Sequence, residues 1–131
     1  MARSHLLDSN SIIDFIGKKL PDEQMTVMKG ILRNIPNVSV ISQIEVLGYS
    51  VDEVTENIFK DFFEDSNIFH ITEDVVKKTI ELRKNYKIKL PDALIAATAL
   101  VNNFDIISRN VKDFSRIKGL VALDPHTITA G

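Results

Sequence analysis

His5-Leu6-Leu7-Asp8-Ser9-Asn10-Ser11-Ile12-Ile13 is the stretch on which the reading of the whole chain turns. Residues 5–8 have the length and apolar character of a short buried strand. Ile12, Ile13, Phe15 and Ile16 then recur at helical spacing until Gly17. An acid, Asp8, stands where strand gives way to helix. The same arrangement, an acid or its amide beside a helix start, returns in Ser42-Gln43-Ile44-Glu45, Leu90-Pro91-Asp92-Ala93 and Ile107-Ser108-Arg109-Asn110. In an open α/β sheet such junctions gather at the carboxyl edge of the strands, where ligands bind. Asp8, Glu45 and Asp92 are therefore expected to converge on one pocket. Carboxylates crowded in this way repel unless a cation lies between them, and ligation by oxygen alone suits magnesium or manganese. That is the chemistry of a metal-dependent phosphodiesterase.

The segments between these junctions alternate helix with strand. Residues 22–35 read as a helix with Met25, Met28, Ile31, Leu32 and Ile35 on one face, broken by Pro36-Asn37. Residues 38–41 make a second strand, and Ser42 with Glu45 three positions on has the spacing of a capping box. Val51, Val54, Ile58, Phe59, Phe62 and Phe63 form the stripe of a further helix, and 68–71 a short third strand. Thr72 caps a helix whose inner face is Val75, Val76, Thr79, Ile80, Leu82 and Tyr86. Pro91 suits the first turn of a helix that is apolar nearly all round over 93–101, so it must be buried on more than one side. Residues 105–108 and 120–123 are the last strands, separated by a short helical turn anchored by Phe114. Such alternation predicts an α/β fold: a parallel sheet with helices on both faces.

At 131 residues with 44% hydrophobic content, the chain suits one domain, 1–131, with a core large enough to need no staple. It contains no cysteine, which excludes disulfides and thiolate zinc sites. No stretch has the build of a signal peptide or a membrane span, so a cytoplasmic protein is expected. The formal net charge of −2 provides no broad basic field, so any nucleic-acid contact must be local. The basic clusters are Arg83, Lys84, Lys87 and Lys89 ahead of Asp92, and Arg109, Lys112, Arg116 and Lys118 around Asn110. His5, His70 and His126 lack metal-site spacing, and no phosphate-binding glycine motif is present. Each acid also has a structural explanation: Asp8 as an N-cap, Glu45 closing its capping box, Asp92 in a first turn where anions are favoured.

The four segments resemble the signature segments of PIN-domain proteins. They run Leu6-Leu7-Asp8-Ser9-Asn10-Ser11-Ile12-Ile13-Asp14, Ser42-Gln43-Ile44-Glu45, Leu90-Pro91-Asp92-Ala93 through Ala99, and Ser108-Arg109-Asn110-Val111-Lys112-Asp113-Phe114. In length and spacing the chain is similar to the VapC-type toxins of toxin-antitoxin pairs. The resemblance implies a parallel five-stranded sheet in the order 3-2-1-4-5, a magnesium pocket, endoribonuclease activity and inhibition by a cognate antitoxin. It assigns metal binding to Asp8 and Asp92 with Glu45 as the acid of the second segment, and Mn2+ can stand in for Mg2+. Asn110 stands where many members carry a fourth acid. Asp113 is a further candidate acid, with capping of the short helix as its simpler role, and Ser108 joins the water and phosphate network. Lys84, Lys87, Lys89 and Arg109 are the candidate contacts to an RNA backbone. A homodimer is expected, with room for it on the 93–101 helix and the 51–63 stripe. The alternative is a catalytically weak module of the same fold that binds RNA or protein without cutting. A receiver-type signalling domain would want paired acids after the first strand and a lysine after the last, but here Asp8 is followed by Ser9-Asn10 and the last strand by Asp124-Pro125.

Overall fold

The computed structural model describes residues 4–130. Its strands are β1 (His5–Leu7), β2 (Asn37–Ser39), β3 (Asn67–Phe69), β4 (Asp105–Ile107) and β5 (Ala122–Leu123). They form one five-stranded sheet, all parallel, in the order β3-β2-β1-β4-β5. Between them run α1 (Ser9–Ile16), α2 (Asp22–Ile31), α3 (Val40–Leu47), α4 (Glu53–Glu64), α5 (Glu73–Asn85), α6 (Leu90–Asn102) and α7 (Val111–Ser115). This is the expected α/β architecture, with the order that the resemblance implies.

Successive strand residues face opposite sides of a sheet, so the central strands β1 and β4 feed two cores. Leu6 and Ile106, paired across β1 and β4, pack on one side with Val75, Leu82, Ile95 and Phe114. Leu7 and Ile107, the next pair, pack on the other with Ile12, Met28, Val46, Phe59 and Phe63. The apolar helix expected over 93–101 is α6. Ala93, Ile95, Ala96, Ala97, Thr98 and Ala99 are all buried, and the helix packs most extensively on α5. Much of its apolar surface is thus used within the fold, with Leu94, Leu100 and Val101 partly buried and Leu90 exposed.

The third, fourth and last strands are shorter than expected, at Asn67–Phe69, Asp105–Ile107 and Ala122–Leu123, and two further boundary differences have a local cause. The helix α2 stops at Ile31 instead of running to 35, and Ile35 is exposed. Pro36 disfavours a helical Ile35, and Gly30 weakens the turn before it. The strand β2 ends at Ser39, and Val40 and Ile41 already belong to α3. Ser39 is the true N-cap, its Oγ accepting from the Ile41 N–H at 3.1 Å. Ser42 is instead buried inside the helix with no hydrogen-bond partner for its Oγ. The expected capping box of Ser42 with Glu45 therefore does not form.

Candidate active site

The carboxyl edge of the two central strands builds the pocket. Asp8 follows β1 and Ser108 follows β4, and because these strands are neighbours the two side chains meet. Ser108 Oγ donates to Asp8 Oδ2 at 2.7 Å, with both residues buried. The Ser9 N–H donates to Asp8 Oδ1 at 2.8 Å, so Asp8 does N-cap α1, as its structural explanation required. Capping does not exhaust it. Burial pushes the Asp8 carboxyl above its usual range; hydrogen bonds from Ser108 and the Ser9 amide oppose this, while the negative charges of Asp92 and Glu45 add to it.

Asn10 ties the floor of the pocket together. Its Nδ2 donates to Ser108 Oγ at 3.3 Å and reaches Asp8 Oδ2 at 3.4 Å, and its Oδ1 accepts from the Arg109 N–H at 3.0 Å. The Asn110 N–H donates to Ser108 Oγ at 3.0 Å. Ser108, expected in the water and phosphate network, thus links Asp8 to the turn that carries Asn110. The sequence reading assigns Asn10 no role of its own. An amide beside a buried carboxylate was the signal available.

Glu45 projects from α3 toward this pocket, where it accepts from Ser9 Oγ at 2.6 Å. Its freedom from the capping box is what permits that reach. Asp92 lies half-buried in the first turn of α6. Burial raises its carboxyl above the usual range, as do Glu45 and Asp113, and Lys89 partly offsets them. The charges of Asp92 and Glu45 thus bear on Asp8, and those of Glu45 and Asp113 on Asp92. The N-cap of the short helix α7 is Asn110, without a side-chain capping bond, and Asp113 in its first turn faces the same cavity as Asp92.

That cavity, about 590 Å³, has Asp92, Asn110 and Asp113 on its acidic side. Arg83, Lys87, Lys89 and Arg116 line the rest, with Ile88 among them. Lys87 and Lys89 are thus placed beside the acids, whereas Lys84 lies outside the lining. Arg83 and Arg116, noted as basic residues but not as backbone contacts, line it instead. Arg116 is oriented by the Tyr86 ring, 5.9 Å from its centroid, and by a hydrogen bond to the Lys87 carbonyl. Arg109 turns elsewhere: its Nε lies 3.0 Å from Asp14 Oδ2.

A donor set of carboxylate oxygens with excess negative charge suits a hard divalent cation. Among the described residues, however, no group of three or more Asp, Glu or His side chains is gathered tightly enough to hold a metal ion as it stands.

Residues 5–120 match the PIN domain family. The chain belongs to that family. Among solved structures it is similar to a chain of a toxin-antitoxin complex from Klebsiella pneumoniae, at 30% identity and a TM-score of 0.77 over 95% of this chain and 100% of that one. It is also similar to a chain of VapBC-1 from nontypeable Haemophilus influenzae, at 26% identity and a TM-score of 0.76 over 94% and 98%. A chain of VapBC2 from Rickettsia felis, bound to a promoter DNA fragment, shares the fold at 24% identity and a TM-score of 0.75 over 92% and 97%. A comparison with curated proteins finds no match. The kinship is thus with VapC-like PIN domains.

Proposed function

We propose that this chain is a magnesium-dependent endoribonuclease, the toxin of a toxin-antitoxin pair, acting in the cytoplasm. The observation that carries the reading is the gathering of acids at the carboxyl edge of the sheet and beside a basic cavity: Asp8 and Asp92, both raised first by burial, each also feel the negative charge of Glu45, and Asp113 adds its charge at Asp92. Separate helix caps have no reason to share one field. Asp8 and Asp92 are the principal metal ligands, with Glu45 as the third acid and Asp113 as a further one. Asn110 completes the catalytic set. When bound, the cation supplies an acidified water and neutralises charge on the scissile phosphate.

The protein's own groups do the positioning. Ser108 and Asn10 hold Asp8, and Ser9 holds Glu45. Lys87 and Lys89, with Arg83 and Arg116, grip phosphates and so place the strand without reading its sequence. A single-stranded loop of RNA suits such a groove, because its backbone can be splayed into it. The cognate antitoxin and a second copy of the chain are the protein partners. The exposed Ile44, Tyr49, Val51, Val54 and Ile58 around α3 and α4 give them an apolar surface.

The test is RNA cleavage by the purified chain in magnesium, manganese, calcium and excess chelator. Turnover in magnesium and manganese, and none in chelator or calcium, supports the reading. Undiminished cleavage in chelator would end the metal-dependent mechanism. RNA binding without cleavage in any metal would favour the non-cutting module, for which Asn110 in place of a fourth acid is the specific support.

A further inference from the structure

Asp14 is a buried carboxylate that the proposed chemistry leaves unused. It lies in the body of α1 at 4% exposure, and two side chains from other segments converge on one of its oxygens. Arg109 Nε stands 3.0 Å from Oδ2 and His126 Nε2 stands 2.8 Å from it. A carboxylate withdrawn from water needs such donors, and removing them leaves a buried charge uncompensated. The partners are chosen by position as well as by charge. Arg109 sits between Ser108, which holds Asp8, and Asn110, which lines the cavity. Its backbone N–H donates to Asn10 Oδ1 at 3.0 Å, so the 108–110 turn is fastened to α1 at two separate places, Asn10 and Asp14. His126 brings in the turn that follows β5, itself fixed by the His126 N–H donating to Asp124 Oδ1 at 2.8 Å.

We propose that Asp14 is a positioning residue. By gripping Arg109 and His126 together it fixes the 108–110 turn, and through Ser108 and Asn10 it sets the direction of Asp8 in the pocket. The catalytic consequence rests on the nuclease reading above; the fixing of the turn does not. Arg109 is accordingly a strut whose side chain is committed to α1, and the segment after β5 supports the pocket without touching it.

The test compares the full chain with Asp14→Asn, Arg109→Lys and His126→Gln by amide hydrogen exchange and by cleavage kinetics. In Asp14→Asn the Arg109 and Asn110 amides should exchange about tenfold faster or more, while the Leu82 amide in α5 keeps its rate. The same variant should lose about tenfold in kcat with KM within about twofold, since small misplacements of reacting groups cost rate rather than affinity. Arg109→Lys and His126→Gln, altered at accessible side chains, should show smaller losses of the same kind, and they carry the test if Asp14→Asn does not fold. Unchanged exchange at 109 and 110, or equal acceleration at Leu82, would overturn the proposal. So would a rise in KM at constant kcat for Arg109→Lys, which would make Arg109 a substrate contact. If the unaltered chain cleaves no RNA, the nuclease reading fails, and exchange alone decides whether Asp14 holds the turn.

Discussion

At the scale of single residues, the pocket is a set of carboxylates placed where their charges cost most. Asp8→Asn keeps the cap, because asparagine caps as well as aspartate, but removes the charge. We expect Asp8→Asn and Asp92→Asn each to slow RNA cleavage by at least about 10³-fold, or roughly 4 kcal/mol of transition-state stabilisation. Initial rates at saturating magnesium check it, and losses below about tenfold at both positions would place the site elsewhere. The raised carboxyls also fix the sign of a pH effect. A group whose folded pKa lies above its unfolded value holds its proton more tightly in the native state, so stability falls as pH rises through the interval between the two values. For Asp8 and Asp92 that interval starts at the usual aspartate value of 3.8 and extends upward. With chelator present, the melting temperature should therefore decline from about pH 4 toward neutrality, and the decline should flatten in Asp8→Asn. The acids were legible in the sequence because each interrupts an apolar junction. Asp14 was not singled out, although an acid set among Ile12, Ile13, Phe15 and Ile16 demands a buried partner. Those partners, Arg109 and His126, lie so far along the chain that local pattern gives no hint of them.

At the scale of elements, α3 shows where local reading stops. Val38, Val40 and Ile41 satisfy a strand or a helix equally well over so short a run, and Ser39 and Ser42 are both competent caps. Pairing with β1 ends at Val38 and pairing with β3 at Ser39, and that tertiary fact selects the cap. Ser39→Ala should cost about 1 kcal/mol of stability through loss of the bond to the Ile41 N–H. Ser42→Ala should cost less, because its buried Oγ has no partner to lose. Denaturant titration of both variants measures the order, and the reverse order would restore Ser42 as the cap. The helix α5 teaches a related point. Thr72 caps it as read, with Oγ1 accepting from the Val75 N–H at 3.3 Å. Of its expected inner face, however, Val76 and Ile80 are exposed, whereas Val75, Thr79 and Leu82 are buried. Periodicity names a stripe wider than the neighbouring helix α6 covers.

At the scale of the whole molecule, strand and helix alternation was enough for a parallel sheet, and the resemblance to PIN domains supplied its order. What no periodicity could give is which apolar face remains uncovered. Phe59 and Phe63 of the 51–63 stripe enter the core, but Val54 stays 68% and Ile58 48% exposed. Val54→Asp and Ile58→Asp should leave the stability of the isolated chain within about 0.5 kcal/mol, since both side chains are exposed and outside the two cores. The same changes should weaken self-association or antitoxin binding, as read by sedimentation. Undiminished assembly in both variants would move the partner surface away from α4.

The most direct measurement is a set of thermal melts at neutral pH on the unaltered chain, Asp8→Asn, Glu45→Gln and Asp92→Asn, first with chelator and then with saturating magnesium. A shared acidic pocket predicts that without metal the variants melt higher than the unaltered chain, with Asp8→Asn gaining about 1 kcal/mol from relief of burial and repulsion. With magnesium the order should reverse, because the unaltered chain gains binding free energy that the variants largely forgo. Four coincident melting curves in both conditions would mean that the acids are separate caps, and would contradict the nuclease pocket outright.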